Sequence, residues 1–167
     1  MSIKKILDNL EQTSEFKKWK SKNKNSYFSH AFKIPQEMKP EEWQLGFYNP
    51  KKDNITTFVV SQNSIEKRPE EEVFKKDESR ISGIDFEKVS LDFETVLDAA
   101  ANFQNKNFPK DKSIKTIAIL QNLPNLGNVW NITYVTQAFN TLNMKIDAKS
   151  GNVIEHKLSS IFELREK

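Results

Sequence analysis

The chain is predicted to have an α+β fold, with a helix followed by an antiparallel β-meander occurring twice. Three observations predict it. A shift of 87 positions (130 − 43) lays Trp43 on Trp130, inside two stretches that read alike, Trp43-Gln-Leu-Gly-Phe-Tyr and Trp130-Asn-Ile-Thr-Tyr-Val. The same shift lays Leu10 on Leu97, Phe16 on Phe103, Ser26 on Ser113 and Ala31 on Ala118, and pairs Leu45 with Ile132, Phe47 with Tyr134, Ile55 with Leu142 and Val59 with Ile146. Within each half, apolar residues recur first at helical spacing and then in alternation, the two rhythms of a half-buried helix and a half-buried strand. The first repeat is expected over residues 1–80 and the second over residues 81–167.

Ile3, Ile6, Leu7 and Leu10 share one helical face, and Phe16 with Trp19 continue on another, so a helix begins near residue 3 and bends or restarts near Thr13-Ser14, with Ser14 as the cap. Tyr27 to Ile34 is strand-like and is closed by Pro35. Trp43, Leu45 and Phe47 alternate along a second strand, Asn49 to Asn54 carries the residues of a hairpin loop, and Ile55 to Val60 is the return strand. Between 64 and 83, Ile65, Val73, Phe74 and Ile81 stand alone among charges, so the last strand of the first repeat is expected either as an edge strand or not at all, and this segment is expected as the join between repeats.

The second half opens on Phe93, Val96, Leu97, Ala100 and Ala101, one helical face with Asp92 and Glu94 at its start. Phe108-Pro109 closes that helix, Ile114 to Leu120 is a strand, Asn122 to Asn128 a loop, and Val129 to Thr136 an alternating strand. Met144, Ile146 and Ala148 alternate with Lys145, Asp147 and Lys149 before Ser150-Gly151-Asn152 reverses the chain into Val153 to Phe162. Gly151 is expected in a left-handed conformation, and Asp147 is placed to accept hydrogen bonds from the amides of this turn. Trp43, Trp130 and Tyr134 stand in phase with the apolar strand residues and are assigned to the core.

Composition sets outer limits on function. Charged residues make up 29%, apolar residues 37% and mean hydropathy is −0.69, yet twelve Phe, three Trp and three Tyr supply anchors for a core, so a soluble globular protein is expected. No apolar run approaches the roughly 18 residues of a membrane span. The N-terminus is too interrupted by charge for a signal-peptide core, so the chain as written is expected in the cytoplasm, or outside it if a leader has been removed. There is no cysteine, which excludes disulfides, thiolate nucleophiles and cysteine metal sites.

The excess of Lys plus Arg over Asp plus Glu is 26 − 23 = 3, too small for bulk charge to specify a nucleic-acid partner. Lys17, Lys18, Lys20, Lys22 and Lys24 nevertheless cluster around Trp19. The plainer expectation is a solvated helix end with Trp19 packed over one end of the sheet; these six are also the candidate partner-binding residues, and with Tyr27 they support an alternative reading as a module for single-stranded nucleic acid.

Catalytic patterns are missing from the sequence. His30 and His156 are far apart and lie in alternating segments, without the paired spacing of metal ligands on one element. Asp92 with Glu94 and Glu71 with Glu72 fall on polar segments, where carboxyls keep ordinary acidities. With four glycines in all, there is neither a nucleophile elbow nor a phosphate-cradling loop. The reading is a non-enzymatic protein without cofactor or metal that binds a protein or peptide.

Ile146-Asp147-Ala148-Lys149-Ser150-Gly151-Asn152-Val153-Ile154, preceded by Trp130-Asn-Ile-Thr-Tyr134, resembles the signature of PepSY-like domains, in which a strand ending in hydrophobic-Asp-Ala meets a glycine turn and returns. The resemblance covers residues 84–164, and a diverged copy without the Asp-x-x-x-Gly turn covers about 3–75. It implies cystatin-like packing of a helix across a curved antiparallel sheet. It also implies a role in binding or restraining peptidases, or in binding ligands at cell surfaces.

Overall fold

The computed structural model describes residues 2–73 and 80–163, which build three α-helices and a nine-stranded antiparallel sheet. Helices α1 (Ile3–Glu11) and α2 (Ser14–Lys22) are followed by strands β1 (Tyr27–Lys33), β2 (Trp43–Asn49), β3 (Asn54–Val60), β4 (Ile65–Lys67) and β5 (Glu71–Glu72). A 3-10 turn (Phe86–Lys88) leads to α3 (Phe93–Asn107), then β6 (Ser113–Leu123), β7 (Gly127–Thr136), β8 (Asn140–Asp147) and β9 (Val153–Ser160). The strand order is β4-β3-β2-β1-β6-β7-β8-β9, with β5 pairing β3.

Each helix forms where its sequence supplies both an apolar stripe and a cap. Ser2 caps α1, whose Ile3, Ile6, Leu7 and Leu10 are buried. The cap of α2 is Thr13 rather than Ser14: its Oγ1 accepts from the Phe16 N–H at 3.3 Å and donates to the Leu10 carbonyl at 2.7 Å, ending one helix and starting the next. Asp92 caps α3 through the Thr95 N–H at 2.9 Å, and buried Gln104 closes its far end by donating to the Phe108 carbonyl at 2.8 Å.

The two meanders share one sheet because β1 and β6 pair, with Ala31 opposite Leu120 and Phe32 opposite Ile119. One row of the sheet shows the consequence. Phe58, Leu45, Ala31, Leu120, Trp130 and Ile146 lie opposite one another across six strands, and each is 0% exposed. All three helices pack on this face. Phe16 and Trp19 of α2 meet Phe47 and Phe58, with ring centroids 5.1–5.7 Å apart, and Phe93 at the start of α3 lies 4.9 Å from Trp43 and 5.5 Å from Trp130. The 87-residue shift would put Ile55 and Val59 on the same face as Leu142 and Ile146. In the structure it is Thr56 and Phe58 that turn inward, and Ile55 stands opposite Tyr48. The alternation of β3 is therefore offset by one residue from the 87-residue alignment, which turns every side chain there to the opposite face.

Several boundaries differ from the sequence reading. Strands β6 and β7 pair out to Leu123 and Gly127, so the loop between them shrinks to three residues, with Asn125 and Gly127 at φ 67° and 78°. The expected edge over Ile65 to Phe74 consists of two short pieces, β4 and β5, and Phe74 lies outside the described residues. The hairpin at Gly151 forms as read. Its φ is 81°, and the Asp147 carboxylate accepts from the N–H groups of Ser150 and Lys149 at 2.7 and 3.0 Å, which holds its pKa below the ordinary aspartate range.

Candidate functional site

Between α1 and the start of α3 the helical layer leaves a gap over the middle of the sheet. It forms a groove of about 890 Å³. Leu10, Trp43 and Phe93 form its floor, while one wall is the β3–β4 turn, from Val60 to Ile65, and the opposite lip carries Pro40 and Glu41. Glu15, Glu41 and Glu94, all exposed, bring three carboxylates to the lining, against the single cation of Lys33.

Lys33 explains why the groove exists in this half. It occupies a core-facing place that corresponds, at the 87-residue shift, to Leu120, which is fully buried opposite Trp130. Lys33 is itself 4% exposed, and an ammonium taken out of water needs replacement acceptors. It finds them in the loop that follows its strand: Nζ donates to the carbonyls of Lys39, Pro40 and Glu42 at 3.2, 2.6 and 2.8 Å and lies 4.9 Å from the Trp43 ring centroid. Burial lowers the pKa of its ammonium, opposed by Glu42, Glu41 and Glu94. The loop bearing Pro40 and Glu41 is thus held by a buried cation and forms one lip of the groove.

The predicted basic segment separates into unlike parts. Lys17, Lys18, Lys22 and Lys24 are exposed on and after α2. Lys20 is half-buried and donates to the carbonyls of Lys24 and Ser26, so it caps the helix end. Trp19 is 7% exposed and packed between Phe16, Phe47 and Phe58. Its indole is therefore not on the surface with the lysines, and the stacking platform expected of a single-strand binder is absent from that patch. Tyr27 packs on Tyr48 and donates to the Ile81 carbonyl.

The remaining candidates stay apart. His30 on β1 and His156 on β9 are separated by three strands. His30 is half-buried, its ring occupies the space a Cβ on Gly46 would fill, and burial pushes its pKa down to about 4. Its Nδ1 is 3.0 Å from Ser29 Oγ, a serine–histidine contact without catalytic geometry, because Ser29 is 1% exposed and its hydroxyl also bonds the Gly46 carbonyl. Asp92 and Glu94 sit at the start of α3, where the Asp92 carboxylate accepts from Thr95 and is held below the ordinary range. Glu71 and Glu72 form β5.

Sequence reasoning missed the groove and a second surface. The groove draws on residues from seven helices and strands and from the loops between them, and Lys33 was the only local signal, a lysine in phase with strand residues facing the core. The second surface is β9, which ends the sheet and has nothing described pairing with its outer edge. Five of its eight residues are exposed, among them Ile154 (43%) and Leu158 (37%), and Phe139 and Phe162 lie beyond its end with rings 6.2 Å apart.

No helix among the described residues is long and apolar enough to cross a membrane. No family model matches the chain and no curated protein matches it. Among solved structures, the chain is similar to the crystal structure of a "putative lipoprotein" from Clostridium difficile 630, with a TM-score of 0.58 and 14% identity over 90% of this chain and 97% of that one. At that identity the likeness concerns the fold alone: a mixed α+β architecture whose full extent both chains share.

Proposed function

We propose that this chain is a non-enzymatic binding protein built from two PepSY-like repeats, and that it holds a peptide segment of another protein in the groove between its helices. The repeat reading is supported by the order of elements. At a shift of 87, β1 falls on β6, β2 on β7, β3 on β8 and the end of β4 on the start of β9, while α1 and α2 together fall on residues 90–109, which contain α3. The slip of one residue at β3 and the substitution of Lys33 for a leucine are the divergences that left one half with an open seam.

The groove carries the functional reading. Its volume of about 890 Å³ lies within the roughly 300–1,000 Å³ typical of ligand sites. Its floor is aromatic and aliphatic, and its lining has three carboxylates against one lysine whose three hydrogen bonds are already made. A peptide presenting an apolar side chain beside Lys or Arg matches both features. The exposed lysines of α2 would serve a polyanion instead, but without an aromatic surface beside them they support that reading less.

A random peptide library panned against the folded chain tests the proposal. Enriched peptides are expected to pair an apolar residue with Lys or Arg, and their affinity is expected to fall at least tenfold in a Glu41→Lys, Glu94→Gln variant that melts like the parent. No enrichment over bare support, or equal binding by the variant, would remove the groove from consideration.

A further inference from the structure

We propose that β9 is a self-pairing edge through which two copies of this chain join in an antiparallel, two-fold arrangement, so that one sheet runs through both. The strand reads Val153-Ile154-Glu155-His156-Lys157-Leu158-Ser159-Ser160, and about His156 its chemistry is mirrored: Glu155 answers Lys157, and Ile154 answers Leu158. An isologous contact brings residue i of one copy against residue j of the other, and j against i. With the axis at His156, each Glu155 lies opposite the Lys157 of the second copy, and Leu158 faces Ile154, which the bulge between Glu155 and Val153 leaves without a partner on β8, at the margin of the contact. Opposite charges and apolar pairs in directly facing positions stabilise antiparallel strands, and like charges there destabilise them.

The backbone is set for the same contact. Just past the strand the Ile161 N–H donates to the Phe139 carbonyl at 3.0 Å, and the ladder runs on as Ser159 opposite Thr141 and Lys157 opposite Asn143. Since hydrogen-bonded positions recur every second residue in an antiparallel pair, these odd-numbered residues bond inward, and the main-chain groups of His156 and Leu158 face outward. Those are the positions nearest the proposed axis. The His156 ring is meanwhile held on the helix side, 5.0 Å from Phe103 and 5.8 Å from Phe108.

The charges match what lies behind them. Glu155 is 3.4 Å from Lys145 on β8, whereas no carboxylate lies within salt-bridge distance of Lys157 among the described residues. Pairing would give Lys157 a carboxylate and place Glu155 between two ammonium groups. The opposite edge of the sheet has no such character: β4 and β5 are three and two residues long and are separated by Pro69 and Glu70, features that discourage strand addition.

Sedimentation velocity between 1 and 200 μM, about the range in which modest interfaces assemble, tests the proposal. The parent chain is expected to be dimeric at the upper end. Glu155→Lys alone and Lys157→Glu alone should each sediment as monomers, with circular dichroism and Tm showing that they fold. Mixing the two single variants should restore a dimer, because every Glu then faces a Lys. A parent that stays monomeric throughout, single variants that still dimerise, or folded variants that fail to complement each other on mixing would each overturn the proposal.

Discussion

Trp130 has no exposed surface and lies 5.5 Å from Phe93 and 6.1 Å from Trp43, where the start of α3 packs on the sheet. Replacing it with Ala removes the largest fully buried side chain and leaves a cavity, at an expected cost of about 3–5 kcal/mol. Urea denaturation of Trp130→Ala measures it, and a midpoint equal to the parent's would show that the indole does not fill the core. At His30 the folded state favours the neutral ring, with a pKa near 4 against 6.5 when unfolded. The unfolded chain therefore takes up a proton first as the pH falls. The stability owed to the neutral ring is full above 6.5, declines as the pH drops, and is gone below about 4, a change of about 1–3 kcal/mol after allowance for partial exposure. Urea midpoints of His30→Gln should be flatter than those of the parent over that window, and parallel curves would contradict this. Burial of single residues was legible where rhythm and neighbours agreed, as at Trp43, Trp130 and Tyr134. At Trp19 the sequence left two readings open, packing over the sheet or stacking among the lysines, and the indole turns inward while its flanking lysines stay on the solvent side of α2: a helix displays neighbouring residues on different faces.

Elements were readable wherever a local chemical signal ended them. The Asp147 to Gly151 turn, the capped start of α3 and the paired alternation of β7 and β8 all stand in the sequence, because each depends on residues a few positions apart. The start of α2 did not, since both Thr13 and Ser14 are competent caps; the choice fell to Thr13, which also bonds Leu10 and so serves both helices. Thr13→Ala is expected to cost about 1 kcal/mol and to loosen α2, with Phe16 and Trp19 along it. Amide hydrogen exchange should then quicken at Phe16 and Lys17 before it does so in β7. Uniform exchange rates would mean that packing, not the cap, holds the helix. The one-residue slip at β3 was equally hidden, because Ile55 to Val60 is apolar or β-branched on both faces and its register comes from pairing with β2.

At the scale of the whole molecule, the seam between β1 and β6 and the aromatic contact of Trp43, Phe93 and Trp130 tie the halves into one core. Calorimetry is expected to show a single cooperative transition. Two resolved transitions would mean that each half melts on its own. No local pattern foretold that seam, nor the groove above it, because both depend on which remote segments meet. The alternation of β1 says only that it is a strand, and both its neighbours are chosen by tertiary packing.

That seam has a consequence for how the protein comes into being. His30 finds Gln121 across 90 residues of intervening chain, whereas the hairpins on either side of the seam close within a handful. Distant ends meet at a higher entropic cost than near ones, so the meanders can form early and the central join comes late. On the ribosome, the first meander emerges well before its partner strand has been translated, with one flank of β1 bare. During that interval this nascent chain is at its most vulnerable to pairing with the wrong neighbour.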